Sequence, residues 1–361
     1  MTDQLNHPTI RAEDFREFAI EVWQRAGLPA DQAEHSAAPL VWASLRGVDT
    51  HGVRIFKSYY VDTLVSGQLE RRPDFRIEYD SPIAARADGG RGLGLAAASW
   101  GMRLAIEKAH SAGIGLVSMR NSNHLGALGY YAEMAVEHDM IGVCMSGHLY
   151  AEGNYRGMAP ALSLQPMFGT NPLSVAIPCG QQPDFMLDMA TAIVPVNRVE
   201  FMCEKGQAIP LGWCLDSTGQ PTSDPAMAKV YLPLGSTREL GSHKGFGLAM
   251  LVQVMTAVLS GGWAENAAGC FTQEKIAHFF GAMRIDLFGQ SEQFKKGMDE
   301  TIAALHRAPA APGYDKVYVP GEIEHDTKSQ RSVDGIPLTE KELGELRDLS
   351  SRYSVPLRLS G

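Results

Sequence analysis

Several familiar markers are missing from this chain of 361 residues, and each absence closes off a class of protein. Cysteine is sparse: Cys144, Cys179, Cys203, Cys214 and Cys270 are odd in number, far apart and without a C-x-x-C pair. That spacing offers neither a disulfide framework nor a thiolate zinc site, so buried free thiols are expected. No two histidines stand at a ligand spacing such as H-E-x-x-H, and no metal is expected. A long hydrophobic run is lacking as well. The nearest approach, Gly245 to Gly262, is broken by Gln253, Thr256 and Ser260 and reads as a buried helix, not a membrane span. The first residues are polar, with no basic segment leading into an apolar one, so neither a secretory signal nor a transit peptide is expected and the location is expected to be cytoplasmic. Basic charge is not in excess: 32 Lys and Arg against 41 Asp and Glu give a formal charge of −9, poor equipment for gripping nucleic acid. Internal repeats and low-complexity tracts are also absent.

What remains is a chain with 45% hydrophobic residues, long enough for one large or two intimately packed domains. Helical spacing runs from Arg11 to Arg25 and from Pro29 to Arg46, where Asp31 is a candidate cap and Pro39 a candidate kink. A short helix is expected from Tyr59 to Ser66, β-like patches at Phe75–Tyr79 and Ile83–Ala87, and a long helix from Gly92 to His110. Strand-like Ile114–Met119 and Ile141–Ser146 then bracket a helical stretch at Gly126–His138. Further strands are expected at Pro172–Pro178 and Phe185–Met189, and helices at Pro195–Lys205, after Lys244 and at Thr339–Tyr353. Pro309 to Pro320 reads as a linker or extended crossing. Alternation of this kind argues for a layered α/β body.

The densest chemistry lies in Arg46-Gly47-Val48-Asp49-Thr50-His51-Gly52, where a helix hands over to a loop. An imidazole there can exchange protons near neutral pH and a guanidinium can grip a carboxylate with two hydrogen bonds, which suits chemistry on a small acid. A second polar cluster, Asn121 to Tyr130, follows a strand, where α/β enzymes place functional loops; alone, His124 reads equally as a capping or satisfied core histidine. Asp188 ends an apolar strand, and a buried carboxylate needs a partner, for which a histidine is the natural candidate.

Two glycine patterns imitate nucleotide motifs. Gly92-Leu93-Gly94-Leu95-Ala96-Ala97 fits G-x-G-x-x-A, but the next strand runs into Arg120 where an acidic residue is required, so these glycines read as allowing close helix packing. The run Gly235 to Lys244 has the wrong count for a P-loop and Gly245 where Ser or Thr must hold magnesium. Lys244 can still meet a phosphate at a helix start, against the plainer reading of a solvated loop lysine.

Six ordered motifs together carry a resemblance. They are Arg46–Gly52, Ser122-Asn123-His124-Leu125-Gly126, Gly169-Thr170-Asn171-Pro172, Leu187-Asp188-Met189-Ala190-Thr191, His243-Lys244-Gly245-Phe246-Gly247 and Pro320-Gly321-Glu322. From about Arg11 to Pro356 the chain resembles the malate/L-lactate dehydrogenase family of the non-Rossmann type, which also includes ureidoglycolate, sulfolactate and diketogulonate oxidoreductases and cyclic imino-acid reductases. The resemblance implies an α/β fold with a large mixed sheet, flanking helices and an N-terminal helical segment. It implies a helical, substrate-binding domain of residues 1–120 plus 301–361 and an NAD(P)-binding domain of 121–300. It implies a homodimer with active sites near the subunit contact, and NAD or NADP as cofactor. The reaction implied is interconversion of a 2-hydroxy acid and a 2-oxo acid, or reduction of a cyclic imine.

Carried over, the resemblance makes His51 the proton donor, Thr50 and Asp188 its relay partners, and His124 the other acid/base candidate. Arg46 and Asn123 are implied to bind the carboxylate-bearing substrate. Asp188, Met189, Ala190, Lys244, Gly245, Gly321 and Glu322 are implied to line the dinucleotide site. The division is chemically coherent, because hydride delivery leaves negative charge on oxygen and an acid must stand beside it.

Departures matter too. Pro195-Val196-Asn197-Arg198 replaces a segment like Ala-Arg-Gly-Lys, His148 to Arg156 lengthens a Ser-Pro-Pro-like stretch, and Ile55-Phe56-Lys57 replaces Arg-Leu-Pro next to His51. Two other readings compete: a relative that has lost catalysis and acts as a binding protein, and a hydrolase built on Thr50, His51 and Asp188. The hydrolase lacks a G-x-S-x-G elbow and places its nucleophile beside its base.

Overall fold

The computed structural model describes residues 8–148, 157–262 and 276–360. Cys270 and most of the lengthened stretch, residues 149–156, lie outside the described residues. Among them, no helix is long and apolar enough to cross a membrane.

The body is organised by a seven-stranded sheet in the order Arg76–Asp80, Ala84–Asp88, Ile114–Ser122, Ile276–Arg284, Met140–Gly147, Leu173–Ile177, Phe185–Met189. Only Ala84–Asp88 and Ile114–Ser122 run parallel; every other neighbouring pair is antiparallel, so the sheet is mixed. The central strand, Ile276–Arg284, has no counterpart among the sequence expectations. It is buried along most of its length and carries Ala and Phe on both faces, so it shows none of the alternation that reveals a half-buried strand.

Both faces of that strand are covered. Phe280 meets Tyr131 at 6.4 Å and fills the space that Gly101 leaves open, which places the helices Gly94–Ala112 and Gly129–Val136 on one side. Ser118, paired with the next residue Phe279, donates to the carbonyls of Met255 and Thr256, so the helix Ser242–Gln253 and its π-type continuation Val254–Val258 cover the other. Alternate residues of a strand face opposite ways, and the two layers follow from that.

The N-terminal helices Ala12–Arg25 and Ala30–Leu45 pack with the C-terminal helix Glu340–Tyr353 around Phe15, Trp23, Phe56 and Leu346. Both described chain ends lie in one helical cluster, and Thr339 with Glu342 forms a capping box on the last helix. The expected boundary at residue 120 needs correction, because the strand Ile114–Ser122 crosses it and the sheet draws strands from both sides. Asp31 lies within the first turn of its helix and does not cap it; Pro29 holds that position. Pro39 does lie inside the helix. Two helices, Ser291–His306 and Glu322–Asp334, were not anticipated. A second, four-stranded sheet near Cys214 and Tyr231 has its own small core with Val194 and Val199.

Candidate active site

The helix Ala30–Leu45 stops short of the Arg46–Gly52 run, Gly47 turns the chain at φ +76°, and Asp49–His51 forms a single 3-10 turn. The turn is fastened from both ends. Arg331 binds the Asp49 carboxylate at 2.6 Å and the Ser44 carbonyl at 2.5 Å, and Val53 N–H donates to Ser44 Oγ at 3.1 Å. His51 is therefore carried on anchored backbone, with Thr50 Oγ1 2.8 Å from its Nδ1. Burial lowers the His51 pKa to about 4, so the free imidazole is neutral at pH 7.

The ring of His124 stacks on His51, with centroids 5.5 Å apart and planes 16° from parallel. Two motifs separated by seventy residues of chain thus meet at one point. Tyr60 Oη is 2.6 Å from His124 Nδ1, and Gly126 N–H donates to the same nitrogen at 3.3 Å. An N–H can only donate, so Nδ1 is an acceptor and the neutral ring carries its proton on Nε2. Burial, with smaller contributions from His51 and His278, lowers the His124 pKa to about 3. The loop sits close against the helix start: a Cβ at Gly94 would overlap the carbonyl oxygens of Asn123 and His124. Gly94, the second glycine of the false dinucleotide motif, serves this approach.

Asp188 ends the edge strand and opens onto the same cavity, but its hydrogen bond is to Gly129 N–H, at 2.7 Å, and not to His51. The expected direct relay is thus not formed in this structure. The first N–H groups of the helix Gly129–Val136 attract the carboxylate more directly than an imidazole would. The side chain is exposed where it opens onto the cavity, yet desolvation by the surrounding protein raises the Asp188 pKa to about 7, with the backbone of Gly129 opposing it and nearby Glu324 adding to it. Gly129 has no room for a side chain: a Cβ would lie 3.1 Å from Asp188 Oδ2 and against Trp42.

Arg46 and Asn123 differ from their expected roles. The Arg46 guanidinium is buried, pairs with Glu133 and lies 4.2 Å over the Trp42 ring. Trp42 Nε1 donates to the other oxygen of the same carboxylate. The charge of Arg46 is thus committed to holding two helices together. Asn123 is buried, and its Oδ1 accepts from His124 N–H at 2.6 Å, which shapes the loop.

His51, Thr50, His124, Asp188, Met189, Ala190 and Gly321 all line one cavity of about 570 Å³. Residues 169–172, 195–197 and 318–321 complete its walls, and among the described residues no Lys or Arg does. Lys244 and Gly245 stand elsewhere. Lys244 is exposed at the start of its helix, and a Cβ at Gly245 would collide with the backbone of Leu234, which makes this glycine a packing residue. Glu322 also misses the wall, because its carboxylate turns back to accept from Val319 N–H at 2.9 Å and to pair with His306.

Sequence reasoning missed Tyr60, Ser146 and His278 and did not assign His148 a role. Tyr60 lies one helical turn beyond Phe56, and its apolar neighbours mask its contact with His124. His148, at the head of the lengthened stretch, lines the cavity. His278 sits inside the strand that was not anticipated, so nothing flagged it.

Comparisons with known proteins identify the family. A profile described as malate/L-lactate dehydrogenase matches residues 10–347. A malate dehydrogenase of Pyrococcus abyssi is 37% identical over 361 aligned positions, covering 97% of this chain and 96% of that protein. The L-sulfolactate dehydrogenase of Methanocaldococcus jannaschii is 32% identical, covering 96% and 97%. A crystal structure of malate dehydrogenase from Entamoeba histolytica superposes with a TM-score of 0.89 at 31% identity, covering 97% of this chain and 99% of that one. This chain belongs to the malate/L-lactate dehydrogenase family and is a nicotinamide-dependent oxidoreductase.

Proposed function

We propose that this enzyme interconverts a small 2-hydroxy acid and the corresponding 2-oxo acid, with His51 exchanging the proton and His124 acting as a fixed hydrogen-bond donor. The stacked pair His51–His124 on one cavity carries the reading.

The cavity fits a dinucleotide. Pro195, Val196 and Asn197 on its wall are the start of the nine-residue helix Val196–Glu204, whose free N–H groups and dipole favour a pyrophosphate. Gly321, at φ +98°, lets its backbone lie where a Cβ would come within 2.8 Å of Met186 Cβ, leaving the wall flat beside Asp188. A bound nicotinamide supplies or accepts the hydride there.

The two imidazoles divide the remaining work. Thr50 Oγ1, unlike an N–H, can either donate to or accept from His51 Nδ1, so His51 can hold its proton on either nitrogen and give or take it at Nε2. His124 has no such freedom, because Gly126 N–H fixes its Nδ1 as an acceptor. Its Nε2–H suits the reacting oxygen or a carboxylate oxygen of the substrate. Asp188, whose pKa is raised by desolvation, adjusts the field as charge appears on His51.

The working unit we propose is a homodimer. Leu248, Leu251, Val254, Val258 and Leu259 recur along one helical stretch and are 37–55% exposed, an apolar stripe that a second copy would cover. A cytoplasmic setting is supported by Cys144, Cys179, Cys203 and Cys214, all free.

The test is oxidation of NADH and of NADPH, followed by absorbance, with a panel of 2-oxo acids and cyclic imines. Turnover of at least one 2-oxo acid, lost in His51→Gln, is expected. Silence with the whole panel would overturn the reading. Light scattering on the purified protein should give twice 39.2 kDa.

A further inference from the structure

His278 is fully buried in the central strand between two serines and a carbonyl, and the oxidoreductase chemistry above does not use it. Its Nε2 lies 3.0 Å from the Asn123 carbonyl oxygen and 3.1 Å from Ser122 Oγ, and its Nδ1 lies 3.1 Å from Ser146 Oγ. A carbonyl oxygen can only accept, so Nε2 must carry a proton. With no carboxylate in contact among the described residues, burial holds the ring neutral, lowering its pKa to about 3. A neutral ring protonated on Nε2 has a bare Nδ1. Ser146 Oγ–H must then donate to it, and the hydroxyl proton is committed inward.

Ser146 lines the cavity at the end of its strand, in register with His278, and its backbone N–H is bound to Pro172 O at 3.1 Å. With the proton turned inward and the backbone fixed, its oxygen has only lone pairs to offer a ligand. We propose that Ser146 is a specificity-determining acceptor, set by His278, for an N–H or O–H donor at the reacting end of the bound molecules. That donor is the carboxamide amino group of the dinucleotide or the 2-hydroxyl of the hydroxy acid. His278 is a positioning residue: it touches neither ligand and acts through the serine.

The inference rests on the proposed 2-hydroxy acid chemistry for its ligands, but its two tests are separable from that reading. The first is independent of turnover. Nitrogen-15 spectra of histidine-labelled protein, assigned by loss of one signal in His278→Gln, should show His278 protonated on Nε2 only; protonation on Nδ1 would overturn the proposal. The second uses Ser146→Ala, which removes the acceptor and leaves His51 and His124 intact. Loss of one hydrogen bond should weaken binding about three- to ten-fold. Weaker binding of NADH alone, read by fluorescence titration, assigns the donor to the carboxamide. Unchanged NADH binding with a raised KM for the hydroxy acid assigns it to the hydroxyl. If both are unchanged while the parent enzyme is active, the acceptor role is wrong; if the parent enzyme itself is silent, the functional reading has failed instead.

Discussion

Replacing Asp188 by asparagine should make the protein more stable at alkaline pH while making it a worse enzyme. The carboxyl group opens onto the cavity, yet its pKa is pushed from the ordinary 3.8 to about 7 by the surrounding protein, even after the favourable bond from Gly129 N–H. Below about pH 3 the group is protonated in both folded and unfolded chains, and at pH 4 only a small part of the effect has developed. As pH rises the unfolded chain ionises first, so stability is lost progressively until the folded carboxyl ionises near pH 7. A shift of that size corresponds to roughly 4 kcal/mol as an upper limit. Cavity water reaches this carboxylate and screens it, so about 1–2 kcal/mol is the expected share. Asparagine keeps a carbonyl for Gly129 N–H and never ionises. The variant should therefore melt about 2 °C above the parent at pH 8 and with it at pH 4, at matched protein concentration. Thermal unfolding followed by circular dichroism at the two values measures this. Equal melting differences at both pH values, or a variant less stable at pH 8, would refute the idea that the site penalises this charge. The same variant should lose kcat, a familiar exchange of stability for activity.

Four further outcomes follow from the geometry. His51→Gln should cut kcat/KM by about 10²- to 10⁴-fold in both directions, measured by dinucleotide absorbance. Hydroxy acid oxidation needs His51 unprotonated, so its kcat/KM should step down near pH 7 as Asp188 is protonated and fall further through about pH 4, where His51 gains its proton. Tyr60→Phe removes one donor from His124 Nδ1 and should raise substrate KM more than it lowers kcat; the opposite split would argue against a holding role for His124. Gly94→Ala forces a methyl onto two carbonyls behind His124 and should cost about 1–3 kcal/mol in denaturant titrations, with activity falling alongside.

The extent to which the site was legible depends on how local each signal is. His51, Thr50 and the turn that presents them follow from a helix end marked by glycine. The meeting of His51 with His124 rests on packing between distant segments, and no spacing in the chain encodes it. Arg46 has a related limit: a guanidinium near a histidine in sequence suggests an anion clamp, but Glu133 arrives from another helix and pairs with it. Lys244 and Glu322 sit in motifs that match the family, yet within one protomer neither faces the cavity. His278 escaped notice because the strand that carries it is apolar on both faces.

The position of that strand has a consequence for how the chain reaches this shape. Ile276–Arg284 separates Ile114–Ser122 from Met140–Gly147, although it is made long after both. At a synthesis rate of about 5–20 residues per second, the two earlier strands wait roughly 10 s or more with their inner edges unpaired. During that interval an exposed edge is open to pairing with another chain. Truncated chains ending before residue 276 should therefore aggregate on the ribosome's timescale, and chaperone capture should fall once the central strand has emerged.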